Sequence, residues 1–259
     1  MTRSKLQRLR SLAAVPALAL GAAAAATGEP ADYAFRVLLD EREIGAHEFR
    51  IEHEGGREIV ESRADFDVRL LFVNVYSYEH RDREVWEDGC LARLESETDD
   101  NGRRFAVRVE RREEGTVVEA QGDARTVPGC LRTFAYWDPS FLEAQRLLNS
   151  QDGSLVDVAV TPLGETELRI DGEAVPARGF RVEGEQGLRL TLWYAVEDER
   201  WLALESLREG RVLRYLPRDA GEVRFPDASA LAGRSGSAPV SGVRPATHQV
   251  KAITSATAR

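Results

Sequence analysis

The chain has very few of the residues that mark most catalytic and metal sites. Its 259 residues include two cysteines, four histidines and one methionine. It contains no Gly-x-Ser-x-Gly elbow, glycine-rich phosphate loop, zincin helix motif or EF-hand calcium loop. The sequence therefore predicts no catalytic residue, no metal site and no cofactor.

Lysine is also scarce and is confined to Lys5 and Lys251, so nearly all the positive charge is arginine. Lys and Arg together number 35 against 44 Asp and Glu, which gives a formal net charge of −9. Removal of residues 1–26 leaves 31 basic against 44 acidic residues, a net charge of −13. An acidic protein without a basic cluster is repelled by nucleic acid and by anionic membrane surfaces, so a nucleic-acid partner is excluded.

Long apolar runs are absent after Glu29, so we expect no membrane span in the mature form. Before that point, basic residues precede an uncharged, alanine-rich run over 11–27, with small residues at 24–26. This arrangement is typical of a secretory signal peptide. We expect residues 1–26 to be cleaved and the protein to be exported to the periplasm or the extracellular space. A retained apolar anchor is the alternative.

What the chain does have is a two-residue alternation of apolar and charged side chains. It is clearest over 60–71, where Ser62 is the one polar residue on the apolar side. The inward set there is Val60, Ala64, Phe66, Val68 and Leu70. Turn signals such as Asn101–Gly102 recur along the chain, which is typical of hairpins. We predict a mainly β, antiparallel meander curled into a barrel or half-barrel, one domain over 32–217, and a flexible tail over 226–259.

One segment favours a helix. Asp138 is a good N-cap and Pro139 suits the first helical position. The apolar residues Phe141, Ala144, Leu147 and Leu148 then form a stripe with helical spacing. We predict one helix over 139–149, packed against an open end or a face of the curled sheet.

The two cysteines, Cys90 and Cys130, each follow a glycine turn signal. In an exported protein such a pair favours a disulfide, and two buried free thiols are the alternative. The bond would close a loop of about 40 residues, for which chain entropy predicts roughly 4 kcal/mol of stabilisation.

Two groups of aromatic and polar residues are candidates for the wall of a ligand site. The candidates are Tyr76, Tyr78, His80, Phe134, Tyr136 and Trp137. The first three would share one strand face, and the last three precede the predicted helix. The alternatives are a stripe at the sheet rim and a plug that seats the helix. His47 and His53 also share a face, but about 20 Å of strand separates them, too far for one metal ion.

Several short motifs resemble a known family of bacterial exported proteins, catalogued as domain of unknown function 6134. They are Tyr33–Asp40 with Ile44–Gly45, Trp86 with Asp88–Leu91, Cys130 with Phe134–Pro139, and Gly210–Arg211 with Arg214–Tyr215. The resemblance covers about residues 32–217. The family is in turn similar to the periplasmic unknown-function family 3108, which resembles the curled half-barrels of lipoprotein carriers. The resemblance implies a fold and a compartment, and it supplies no activity.

Three functions follow as hypotheses. The first is an exported, non-enzymatic β-barrel-like protein that binds an apolar envelope molecule or a segment of another envelope protein. The second is an envelope hydrolase that uses surface carboxylates, which requires two carboxyl groups about 5 to 9 Å apart in a cleft. The third is a structural module for protein contacts.

Overall fold

The computed structural model describes residues 32–70, 72–208 and 210–226. The predicted signal peptide lies outside these residues, as does the predicted tail except for its first residue. Within the described part of the chain, fifteen strands form one antiparallel sheet. The strands are β1 (Tyr33–Leu39), β2 (Arg42–Glu54), β3 (Arg57–Leu70), β4 (Val73–Glu87), β5 (Cys90–Asp100), β6 (Arg103–Arg112), β7 (Gly115–Ala120), β8 (Asp123–Val127), β9 (Arg146–Leu148), β10 (Leu155–Ile170), β11 (Glu173–Gly184), β12 (Arg189–Ala195), β13 (Trp201–Arg208), β14 (Arg211–Pro217) and β15 (Val223–Arg224).

The sheet is built from two meanders joined at one seam. Its order is β15-β10-β11-β12-β13-β14-β1-β2-β3-β4-β5-β6-β7-β8, with β9 paired to β10 off this path. At the seam, β14 pairs with β1, from Phe35 opposite Pro217 to Leu39 opposite Leu213. The described strands curl without closing. The predicted fold class, a curled antiparallel β-sheet, is therefore confirmed.

The period-two pattern determines which side chains face the interior. In β3, Val60, Ala64, Phe66 and Val68 are all buried, and Ser62 is buried among them. Their charged neighbours along the strand lie on the opposite, wetter face, because successive side chains of a strand alternate between the two faces. The alternation therefore predicts the inward residues from Val60 to Val68 correctly, and the side chain of Leu70, the last residue of the predicted set, lies outside the described part of the chain.

Aromatic side chains pack together behind the seam. The rings of Phe35 in β1 and Trp201 in β13 lie 4.1 Å apart between centroids, and the ring of Tyr215 in β14 lies 6.0 Å from that of Trp201. Such contacts contribute about 0.5–1.5 kcal/mol each beyond the area they bury. They hold the first strand of the chain to the last strands of the second meander.

The predicted helix over 139–149 is wrong. A 3₁₀ helix covers only Pro139–Glu143, Ala144 is extended, and Arg146–Leu148 form the strand β9. Asp138 does cap the turn, since its Oδ1 accepts from the Ser140 amide at 2.9 Å.

The chain leaves the helical path because β9 pairs with the start of β10, which places Leu147 and Leu148 in the interior with no exposed area. A bridge between Thr133 and Leu148 adds a further partner. Tertiary pairing has overridden a favourable local helix signal.

Residues 128–154, here called the covering segment, lie over the inner face of the sheet. The Leu91 amide donates to the Leu131 carbonyl at 2.9 Å, next to the disulfide between Cys90 and Cys130. At the other end, the hydroxyl groups of Ser96 and Thr98 donate to the carbonyls of residues 150 and 151 at 2.5 and 3.1 Å. The covering segment is thus attached to the sheet at both of its ends.

Among the described residues, no helix is both long enough and apolar enough to cross a membrane.

Candidate binding site in the sheet interior

A cavity of about 240 Å³ is lined by the inner faces of β2–β4 and β12–β14 and by the covering segment. One part of its lining is apolar and includes Phe49, Val60, Phe66, Leu190 and Leu204. Another part is polar and is formed by side chains of β4. A cavity with an apolar body and a few convergent polar groups is typical of small-molecule sites.

The residues predicted to form a ligand wall lie mostly around this cavity. Tyr78, His80, Phe134, Tyr136 and Trp137 line it. Tyr76 is buried but is not among the lining residues, and its hydroxyl donates to Asp100 at 2.7 Å. The two groups come from distant parts of the sequence and are brought together by the covering segment.

Four successive inward positions of β4 form the polar stripe: Tyr78, His80, Asp82 and Glu84. Small side chains flank the middle of this stripe on the neighbouring strands. Asp82 lies opposite Ser62 in β3 and opposite Ser96 in β5. His80 likewise lies opposite Ala64 and Thr98. These small neighbours leave room for the polar groups of β4 beside the cavity.

His80 is held by hydrogen-bond partners at both ring nitrogens. Its Nδ1 lies 2.8 Å from Thr98 Oγ1, and its Nε2 lies 3.0 Å from Asp82 Oδ2 and 3.4 Å from Ser150 Oγ. A Ser-His-Asp catalytic triad places the nucleophile and the carboxylate on opposite nitrogens. Ser150 and Asp82 share one nitrogen, so this group lacks the geometry of a triad.

Asp82 and Glu84, here called the acidic corner, are buried carboxyl groups on one face of β4. The Asp82 side chain is 7% exposed, and its Oδ1 has no hydrogen-bond partner among the described residues. Glu84 Oε2 accepts from Trp86 Nε1 at 2.8 Å. Burial raises the pKa of Glu84 to about 8, and the negative charge of Asp82 adds to this effect. A carboxyl group in such surroundings holds its proton near neutral pH.

A second set of hydrogen-bonded polar side chains also lines the cavity. His47 Nε2 is 2.9 Å from Ser62 Oγ, and its Nδ1 is 3.4 Å from the hydroxyl of Tyr215. Burial lowers the pKa of His47 to about 3, so this ring is neutral at physiological pH.

His53 is instead exposed, with its Nδ1 3.6 Å from Glu58 Oε1. Among the described residues, no group of three His, Cys, Asp or Glu side chains is arranged to hold a metal ion.

The ionisable side chains of the cavity lining are carboxyl, histidine and tyrosine groups. Asp82, Glu84 and Glu185 line it, and none of the described lining residues is Arg or Lys. Arginine is abundant elsewhere, on the wet face of the sheet, where it pairs with acids, as Arg83 does with Glu61 at 3.5 Å.

Sequence reasoning missed the acidic corner. The alternation that places Tyr76, Tyr78 and His80 on one face continues without a break to Asp82 and Glu84, and this continuation was the available signal. A pattern based on hydrophobicity assigns charged residues to the wet face and so passes over an inward carboxyl group.

The fold and the site define an open, curled antiparallel β-sheet protein with an internal cavity beneath a covering segment. The profile of a family described as Domain of unknown function (DUF6134) matches residues 35–218. This match spans well over half of the chain, and the chain belongs to that family. Among curated proteins, no match to the chain is found.

Proposed function

We propose that the protein is an exported, non-enzymatic binding protein that holds a small, largely apolar envelope molecule, or one end of a larger one, inside its curled sheet. The cavity of about 240 Å³ is the observation that carries this proposal. It approaches the lower end of the range of about 300–1,000 Å³ that is usual for small-molecule pockets.

Two features support export. The basic and then alanine-rich start of the chain is typical of a secretory signal. A disulfide such as Cys90–Cys130 is typical of proteins that fold outside the cytosol. N-terminal sequencing of protein recovered from the envelope fraction tests this part, and we expect the first residue to be Thr27. Recovery of an intact N-terminus in the cytosolic fraction would contradict it.

The binding role is tested by native mass spectrometry of the protein purified without detergent, followed by titration with N-phenyl-1-naphthylamine, a neutral apolar fluorophore. We expect a bound small molecule or, in its absence, saturable uptake of the fluorophore. Ala64 is buried and lines the cavity, so Ala64→Leu should fill part of the space and weaken uptake about tenfold. Ala106→Leu, on the exposed face of β6, is the matched control. A ligand-free spectrum together with no uptake would contradict the proposal.

A second candidate is the hydrolase, and the acidic corner is the observation that favours it. Residues two apart on a strand are about 7 Å apart, which falls in the range of paired carboxyl groups in glycoside hydrolases. Glu84, with its pKa raised to about 8, would be the proton donor.

A panel of nitrophenyl glycosides between pH 4 and pH 8 tests the hydrolase. Activity should be lost in Glu84→Gln and kept in Glu79→Gln, which alters an exposed carboxyl group of the same strand. Equal activity in the two variants would contradict this role.

A further inference from the structure

The exposed apolar side chains of the sheet lie at one of its ends. Among the described residues, three large apolar side chains are exposed: Phe72 by 100%, Val73 by 63% and Leu207 by 44%. The first two are at the turn between β3 and β4, and Leu207 is next to the turn between β13 and β14. Leu213 of β14 pairs with Leu39, the last residue of β1. Because neighbouring strands are antiparallel, the β1–β2, β3–β4 and β13–β14 turns share this end.

The hairpin formed by β3 and β4 projects from this end of the sheet. Pairing of β3 with β2 stops at Phe66, and pairing of β4 with β5 starts only at Tyr78. β3 and β4 remain paired with each other for four further positions, as far as Leu70 opposite Val73. At about 3.3 Å per residue, these positions carry the tip about 13 Å past the last pair with either neighbouring strand.

The tip of this hairpin, residues 70–73, is apolar. Its sequence is Leu, Leu, Phe and Val. At its base, Arg69 Nη2 lies 3.5 Å from Asp67 Oδ2, and Asn74 Nδ2 donates to Asp67 Oδ1 at 2.7 Å. The two charges at the base are therefore paired with each other, and Phe72 presents an uncharged surface to solvent.

The size and shape of the tip favour a lipid surface over a protein surface. A buried Phe side chain contributes about 150–250 Å², so four tip residues offer a few hundred Å². A specific protein–protein interface buries about 800 Å² on each partner. A lipid surface needs no matching shape, and interfacial anchors enter it by roughly 5–10 Å. The projection of the hairpin allows this depth, and its paired backbone avoids the cost of unpaired polar groups in lipid.

The charge of the protein selects among lipid surfaces. The formal net charge is −9 for the whole chain and −13 without residues 1–26. An anionic lipid surface repels such a protein. Zwitterionic headgroups, such as those of phosphatidylcholine, carry no net charge and so allow the tip to approach.

We propose that the β3–β4 tip, with Phe72 at its point, inserts into a lipid surface with zwitterionic headgroups. This inference does not depend on the proposed binding function. The cavity-lining residues Phe66, Ser206 and Leu213 belong to the end of the sheet that carries the tip. Insertion would therefore bring this side of the cavity close to the lipid.

Co-flotation with lipid vesicles tests the inference. The mature chain, which begins at Thr27, is mixed with vesicles of phosphatidylcholine or of phosphatidylglycerol. We expect it to float with the phosphatidylcholine vesicles and to bind the anionic vesicles at least about threefold more weakly, because both surfaces are then negative.

Two variants test the position of the apolar side chain. Phe72→Ser should weaken binding to phosphatidylcholine about tenfold and leave the melting temperature unchanged, because the side chain is fully exposed. The double variant Phe72→Ser/His53→Phe is the matched control. His53 is exposed in the β2–β3 hairpin, at the opposite end of the sheet. The control has as many Phe residues as the wild type, but it should bind as weakly as Phe72→Ser.

A third variant reports on insertion directly. The four native tryptophans are at most 7% exposed: Trp86, Trp137, Trp193 and Trp201. Phe72→Trp adds one at the tip. On phosphatidylcholine vesicles its emission should move to shorter wavelength and be quenched by brominated lipid chains, while the emission of the wild type should show neither change.

Four outcomes would overturn the inference. The first is that the wild type does not float with phosphatidylcholine vesicles, and the second is that Phe72→Ser floats as well as the wild type. The third is full recovery of binding by the double variant, which would show general hydrophobic adhesion. The fourth is tighter, salt-sensitive binding to phosphatidylglycerol, which would show attachment through arginine. Self-association in the ultracentrifuge that depends on Phe72, without vesicle binding, would assign the tip to a second copy of the chain instead.

Discussion

Cys90 and Cys130 form a disulfide between two residues that are 40 positions apart in the sequence. Cys90 is the first residue of β5, and Cys130 lies near the start of the covering segment. The backbone hydrogen bond from Leu91 to Leu131 lies directly beside the disulfide. The covalent bond therefore holds one end of the covering segment against the sheet and helps to keep the cavity covered.

We predict that Cys90→Ser and Cys130→Ser lower the melting temperature equally. The chain-entropy model gives about 4 kcal/mol for a loop of this length, which corresponds to roughly 10 °C for a domain of this size. The double variant should be no less stable than either single one, because each change breaks the same bond. Thermal unfolding followed by circular dichroism measures this, and additive losses would show that the two thiols act independently.

Much of the fold can be predicted from side-chain alternation and turn residues. The inward set of β3 follows from period two, and Asn101–Gly102 forms the predicted hairpin turn with φ values of +52° and +87°. The pairing of Cys90 with Cys130 follows from their number and the expected compartment. The strand pattern and the turn depend on residues that are close in sequence. The disulfide is predictable because two cysteines allow only one pairing.

Two features could not be predicted, for different physical reasons. Leu147 and Leu148 have helical spacing from Phe141, but they pair with Val156 and Leu155 of β10, and the spacing of apolar residues does not show this strand pairing. Asp82 and Glu84 break the hydrophobic alternation, so a pattern search treats them as surface residues. Residues that depart from the sequence pattern of their strand are often functional, and here the two inward carboxyl groups lie beside the cavity.

Glu84→Gln should change how stability depends on pH. The pKa of Glu84 rises from 4.5 to about 8 on folding, so between these values the folded state holds a proton that the unfolded state has lost. Stability of the wild type is therefore lost as pH rises through this window, by at most about 1.4 kcal/mol for each pH unit. Glutamine cannot ionise, so the variant should gain stability relative to the wild type from pH 5 to pH 8. Urea unfolding at several pH values measures this gain, and parallel profiles would contradict the buried-acid assignment.

His47 should stay neutral throughout the range in which the protein is folded. Burial lowers its pKa from 6.5 to about 3, so the unfolded state binds the extra proton between these values and stability falls as pH falls below about 6.5. Ring-carbon chemical shifts measured by NMR from pH 8 to pH 5 should show no titration of His47. The same residue in the urea-unfolded chain is the control and should titrate with a pKa of about 6.5. A full titration in the folded protein would contradict the buried position of the ring.

Gly45 in β2 should tolerate no side chain. Its φ is +154°, and a Cβ atom there would lie 1.9 Å from the carbonyl oxygen of Asp65, a backbone atom of the paired strand that cannot move aside alone. Gly45→Ala should therefore lower the free energy of unfolding by more than about 3 kcal/mol. Gly55→Ala is the matched control, because Gly55 also has a positive φ, +58°, but has open space around it. Its cost should be limited to the backbone strain of about 1–2 kcal/mol. Urea unfolding of both variants measures the difference, and equal losses would mean that β2 and β3 do not approach each other in this register.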